Sequence, residues 1–87
     1  MAIIADERDE RGYVFDQQYI RVDKIHAEKT TMQVEIGVYK NQQAAQNGES
    51  AHRNHFLHAD FDMNSPQNAW QQAYVAVKQR YPDGVDA

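Results

Sequence analysis

The clearest pattern in the chain is a strict alternation between Met32 and Lys40. Met32, Val34, Ile36 and Val38 alternate with Gln33, Glu35, Gly37 and Tyr39, the period of two expected of a strand with one buried face. A second run, Gln18–Ala27, is rich in strand-forming types: Tyr19, Ile20, Val22 and Ile25. Its alternation slips, because Ile20 and Val22 share a face from which Ile25 is out of step. A bulge or a slip of one residue near Asp23 would restore a single apolar face. The polar stretch Glu28-Lys29-Thr30-Thr31 predicts a tight connection, so these two strands should form an antiparallel hairpin. A third strand is expected over His52–Phe61, where Leu57, Ala59 and Phe61 alternate with His58 and Asp60 and Phe56 falls on the other face. Between the last two strands, Gln42–Gln46 suits one helical turn and Asn47-Gly48 a turn dipeptide.

The apolar face of Met32–Val38 needs a cover, and the C-terminal region supplies one. Ser65-Pro66 reads as a helix start. Trp70, Tyr74, Val77 and Tyr81 recur at helical spacing as a stripe, flanked by Ala69, Ala73 and Ala76 that permit close approach to a sheet. Tyr81-Pro82-Asp83-Gly84 should end the helix. A helix over Pro66–Tyr81 would be ~24 Å long, about the length of a seven-residue strand. The fold expected is therefore α+β: a three-stranded antiparallel sheet (β-β-β-α) packed on one C-terminal helix.

The first twelve residues stand apart. Asp6-Glu7-Arg8-Asp9-Glu10-Arg11 is an unbroken run of six charges, which suggests a flexible N-terminal arm over residues 1–12 ahead of a single domain over 13–87. Such an arm is either solvated and disordered or ordered against a neighbouring subunit, in which case Ile3 and Ile4 would be its anchors. Tyr13-Val14-Phe15 would form a short strand or cover one edge of the core. The sheet face away from the helix would carry Tyr39 and Phe56, and these four residues are the candidate interaction positions.

Composition narrows the function classes. Eighty-seven residues, 41% hydrophobic and 25% charged, make one globular domain that buries ~60–65% of its unfolded surface. The absence of cysteine removes disulfides and thiolate chemistry. The formal net charge of −4, with Lys and Arg scattered, disfavours nucleic acid and anionic membrane. No apolar run approaches the roughly 20 residues of a membrane span, and Met1–Ile4 is too short for a signal peptide.

Candidate chemistry is thin. His52-x-x-His55-x-x-His58 resembles a metal set only on a helix. On a strand, His52 and His58 face one way and His55 the other, with the outer two roughly 20 Å apart. Polar, outward-facing histidines explain the spacing better than a metal. Asp60 and Asp62 would need an opposing group and a pocket to act as acid and base. The glycines at 12, 37, 48 and 84 are isolated and form no phosphate-cradling loop. No catalytic residue, metal ligand or cofactor is expected.

One resemblance adds a direction. Tyr19-Ile20-Arg21-Val22, the alternating Met32–Lys40 segment, Gln72-Ala73-Tyr74 with Lys78 one turn on, and the terminal Val85-Asp86-Ala87 together resemble small structural proteins encoded among the tail or virion genes of bacteriophages and prophages. The likeness covers about residues 18–87. Those relatives tend to end the helix in a Leu-Pro-Glu-Phe-like segment, where this chain reads Gln79-Arg80-Tyr81-Pro82-Asp83-Gly84. The resemblance implies a non-enzymatic component of a virion or tail, made in the bacterial cytoplasm. It would act as a homo-oligomer or by docking on other phage structural proteins. The competing expectation is a small host or prophage binding module that takes a peptide on an exposed sheet edge.

Overall fold

The computed structural model describes residues 2–87. In chain order the elements are β1 (Ala2–Arg8), β2 (Val14–Ala27), β3 (Thr31–Tyr39), α1 (Gln42–Gln46), β4 (Arg53–Asp60), α2 (Ala69–Arg80) and β5 (Val85–Asp86). The fold is α+β, with five antiparallel strands in the order β4-β3-β2-β1-β5. α2 packs on one face of this sheet, and the short α1 follows β3.

The expected three-stranded sheet is thus too small by two strands, and the larger correction concerns the N-terminus. Residues 2–8 are not an arm but β1, an internal strand paired on one side with β2 and on the other with β5. Ala2, Ile3, Ala5 and Glu7 are buried, whereas Arg8 is exposed. From Ile3 onward the inward positions are the odd ones, so the charge run obeys the same period of two as β3. Asp9 makes the turn to β2: its Oδ1 accepts the N–H groups of Arg11 and Tyr13, each at 2.9 Å, and Gly12 takes a positive φ of 86°. Met1 lies outside the described residues.

β2 is longer than the run Gln18–Ala27 because Val14–Gln17 continue it opposite β1. The bulge expected at Asp23 is present: pairing with β3 shifts between Val22 and Lys24. That shift puts Val22 opposite Ile36 and Ile25 opposite Val34, one apolar face on both sides of it. β3, β4 and α1 fall within a residue of their expected bounds.

α2 begins three residues later than Ser65-Pro66 suggested. Asn68 is the N-cap, and a reciprocal pair of bonds with Gln71 (2.8 and 2.9 Å) closes a capping box. Upstream, Gln72 clamps the connection by donating to the carbonyls of Asp62 and Gln67 while accepting the N–H of Asp62. The core then joins Ile3, Ala5, Ile20, Val22, Met32, Val34, Ile36 and Val38 to Ala73, Tyr74, Val77 and Tyr81 of the helix side. Trp70 departs from its stripe and remains 48% exposed. It sits in the first turn of α2, beside a depression that Lys24, Ile25 and Phe56 also line. Tyr74 also serves the backbone, since its hydroxyl accepts the N–H of Val22 at 3.2 Å. Pairing with β1 begins only at Arg21, so this N–H would otherwise lack a ladder partner.

Candidate interaction surface

The two edges of the sheet are unequal. β5 is a two-residue strand, the short kind of edge that offers little to a partner. β4 is eight residues long and, among the described residues, pairs only with β3. Phe61 donates its N–H to Thr30 at 2.9 Å, and the alternation of an antiparallel ladder then turns the odd-numbered residues of β4 toward β3. Asn54, Phe56, His58 and Asp60 consequently direct their N–H and C=O groups outward. No proline or lysine interrupts the segment Arg53–Asp60, and its charged residues sit only at its two ends.

Beside this edge runs an open groove of about 810 Å³ between β4 and α2, with Phe56, Leu57, Ala59, Gln72, Val75 and Gln79 among its walls. Phe56 is 59% exposed and Val75 46%. Phe56 also borders a second depression together with Trp70, Lys24 and Glu35. Of the four interaction positions expected from the sequence, Phe56 alone presents a largely exposed side chain. Ile3 is fully buried and Ile4 partly so, opposite Tyr19 and Val85. As an internal β1 residue, Ile3 has no surface to offer a neighbour.

Tyr39 lies on the face opposite the core residues of β3, as its parity required, yet it is only 6% exposed. Its hydroxyl donates to Asp23 Oδ2 at 2.8 Å and accepts from Arg21 at 2.9 Å, and the Arg21 guanidinium lies 4.7 Å from its ring centroid. Arg21 and Asp23 close the triangle at 2.8 Å. Burial, then the bond to Asp23, raises the pKa of the Tyr39 hydroxyl. Gly37 makes room for the set, since a Cβ there would collide with Asp23 Oδ2 and come within 2.8 Å of the Tyr39 ring. Gly37→Ala is accordingly expected to destabilise the fold by about 1–3 kcal/mol, read as a lower urea midpoint with an unchanged slope.

Sequence patterns gave no sign of a polar cluster on the helix face. Glu7 is 1% exposed. Its Oε2 accepts the Tyr81 hydroxyl at 2.5 Å, its Oε1 lies 2.7 Å from His55 Nε2, and Arg53 Nε is 3.7 Å away. A carboxylate only accepts, so His55 is held with its proton on Nε2. Two strands separate β1 from β4, a span of about 14 Å at ~4.8 Å per strand, too wide for perpendicular side chains on a flat sheet. The far end of the β1–β2 hairpin bends across to close it. The bend has a visible cause: a register shift between Ala5 and Glu7, facing Gln17 at φ 53°, whose N–H is held by Asp6 Oδ1 at 3.0 Å. His52 contacts this hairpin too, at 2.7 Å from Gln18 Oε1 and 5.2 Å from the Phe15 ring centroid.

The histidines are thereby separated. His55 lies on the strand face opposite His58, as the alternation predicts, but that face is the inward one, which corrects its expected exposure; His58 is exposed and His52 turns to Gln18 and Phe15 of the hairpin. Among the described residues, no three or more His, Asp or Glu side chains are grouped to hold a metal ion. Asp60 and Asp62 are both exposed, and Asp62 Oδ1 accepts the N–H of Asn64. Among the described residues no helix is long and apolar enough to cross a membrane.

No family model matches the chain, and no curated protein or solved structure does. The functional reading therefore rests on the surface and on the sequence resemblance.

Proposed function

We propose that this protein is a non-enzymatic structural or assembly component that works by associating with protein partners through the β4 edge. The carrying observation is the asymmetry of the sheet: an uninterrupted eight-residue edge at β4 against a two-residue strand at the other side. Four outward-directed peptide groups and a bordering groove with exposed Phe56 and Val75 can supply hydrogen bonds and apolar contact to an added strand. The likeness to small phage tail and virion proteins supports placing that assembly in a bacteriophage particle, with other phage structural proteins as partners. An edge-reading peptide module is the second reading, favoured by the groove, whose walls would receive alternate side chains of a bound segment.

The test is solution mass by size-exclusion chromatography with light scattering across a roughly hundredfold range of concentration, wide enough to reveal a weak association equilibrium, together with co-purification from phage particles. A defined oligomer, or retention in particles, is the expected result. A protein that stays monomeric and is absent from particles would overturn the assembly reading and leave the peptide module.

A further inference from the structure

We infer that the occupant of the β4 edge is a second copy of β4, paired antiparallel about a two-fold axis at Leu57. This rests on the assembly reading above and names its partner and register.

The hydrogen-bonding parity comes first. The outward peptide groups belong to residues 54, 56, 58 and 60, so a partner must bond to these even positions. A two-fold axis at Leu57 pairs Asn54 with Asp60 and Phe56 with His58, twice each, and forms roughly eight interchain hydrogen bonds. Leu57 meets its own copy as the close, non-hydrogen-bonded pair at the axis.

Charge then chooses the orientation. β4 begins at Arg53 and ends at Asp60, with Asp62 two residues on. Antiparallel pairing keeps the two acidic ends apart and sets each against the other copy's N-terminal end, where Asn54 faces Asp60. A parallel pair would set Asp60 beside Asp60. Moving the axis to His58 would oppose Phe56 with Asp60 and His58 with itself. The axis at Leu57 gives Asp60 a donor in Asn54 and Phe56 an aromatic neighbour in His58.

Size agrees. Eight residues at ~3.3 Å make an edge about 26 Å long, and the molecule is 19 Å through its thinnest dimension. The product is about 500 Å² per copy, or about 1,000 Å² in all, the lower bound for a specific interface. Val75 lies beside the same edge in the groove, where pairing would cover it. The result is a continuous ten-stranded sheet with the two α2 helices on one side, and it removes the long edge altogether.

The test uses the full chain and two kinds of variant. His58→Pro removes an outward N–H while leaving the bonds of β4 to β3 in place, which edge positions tolerate. It is expected to weaken association about a hundredfold with a superimposable thermal melt. Because the chain has no cysteine, Leu57→Cys provides an unambiguous register probe. Mild oxidant should convert it to a disulfide-linked dimer, whereas Asn54→Cys, opposite Asp60, should form little disulfide. A wild-type oligomer that resists His58→Pro and gives no Leu57→Cys cross-link would overturn this inference and leave the assembly reading standing. A cross-link at Phe56→Cys but not at Leu57→Cys would overturn the register. A monomer at every concentration would overturn the β4 self-pairing, and absence from particles as well would remove the assembly reading with it.

Discussion

Removing residues 1–12 is expected to abolish cooperative folding, because those residues supply an internal strand. Deletion would strip β2 of its pairing from Val14 to Arg21, leave β5 with nothing to pair to, and expose the core where Ile3 sat. The single substitution Ile3→Ala isolates the packing part. Ile3 is fully buried against Ile20, its cross-strand neighbour, and truncating such a side chain costs about 2–5 kcal/mol through lost burial and a residual cavity. In a domain this small, each kcal/mol moves the melting temperature by roughly 4–8 °C, so a fall of about 10 °C or more is expected. Calorimetry of Ile3→Ala beside Ile4→Ala makes the comparison, since Ile4 is only partly buried. Equal, small effects would contradict the placement of β1 in the core, as would a sharp unfolding transition in the truncated chain.

Glu7→Ala is the second large effect. The substitution removes the acceptor for Tyr81 and His55 and one of the two carboxylates beside Arg53, leaving those groups with partners lost in a largely enclosed site. Breaking a buried charged contact from one side costs about 3–5 kcal/mol. Arg53 softens the loss because it is 24% exposed and keeps Glu10 at 3.3 Å. Glu7→Gln should cost less, about 1–2 kcal/mol, since an amide retains one acceptor but cannot accept from both neighbours. Urea unfolding of the two variants reads the difference, and a Glu7→Ala protein as stable as the parent would show that the cluster contributes nothing net.

The same cluster gives an alkaline signature. Burial, followed by the bond to Glu7, pushes the Tyr81 hydroxyl well above its ordinary pKa of 10.0. Burial also raises Tyr74, and Tyr39 moves the same way. A raised folded-state pKa means the native protein holds the proton more tightly than the unfolded chain. The stability linked to it is complete below about pH 10 and declines as pH rises above that value toward the folded pKa. Stability measured at about pH 9, 10 and 11 should fall across the last interval. Tyr81→Phe, though less stable at neutral pH, should show a shallower decline.

Much of the fold is legible along the chain, and where it is not the cause is identifiable. Met32–Val38 alternates so regularly that its strand needs no tertiary information. The slip between Val22 and Ile25 points to the bulge at Asp23 for the same local reason. Trp70 shares the helical period of Tyr74 and Val77, but periodicity does not say where along a helix the sheet lies beneath it. Tyr39 has the parity of an open face, yet Arg21 and Asp23 cover and bind it there. The N-terminal run suggests an arm only when its six charges are counted rather than phased: Ile3, Ala5 and Glu7 occupy alternate positions, and Asp9-x-x-Gly12 carries the turn signal.

The amino-acid order by itself therefore determined what depends on neighbours two to four residues away: the strand phases of β3 and β4, the α1 turn, the stop of α2, and Phe56 as an outward residue. Only the tertiary structure decided that Glu7 is buried, because its partners His55 and Tyr81 lie 48 and 74 residues further along. A buried carboxylate is tolerable only when such partners meet it, and no local pattern records a meeting across a folded sheet. The exposure of β4 was likewise settled by the strand order, which places β1 inside the sheet and leaves β4 at its edge.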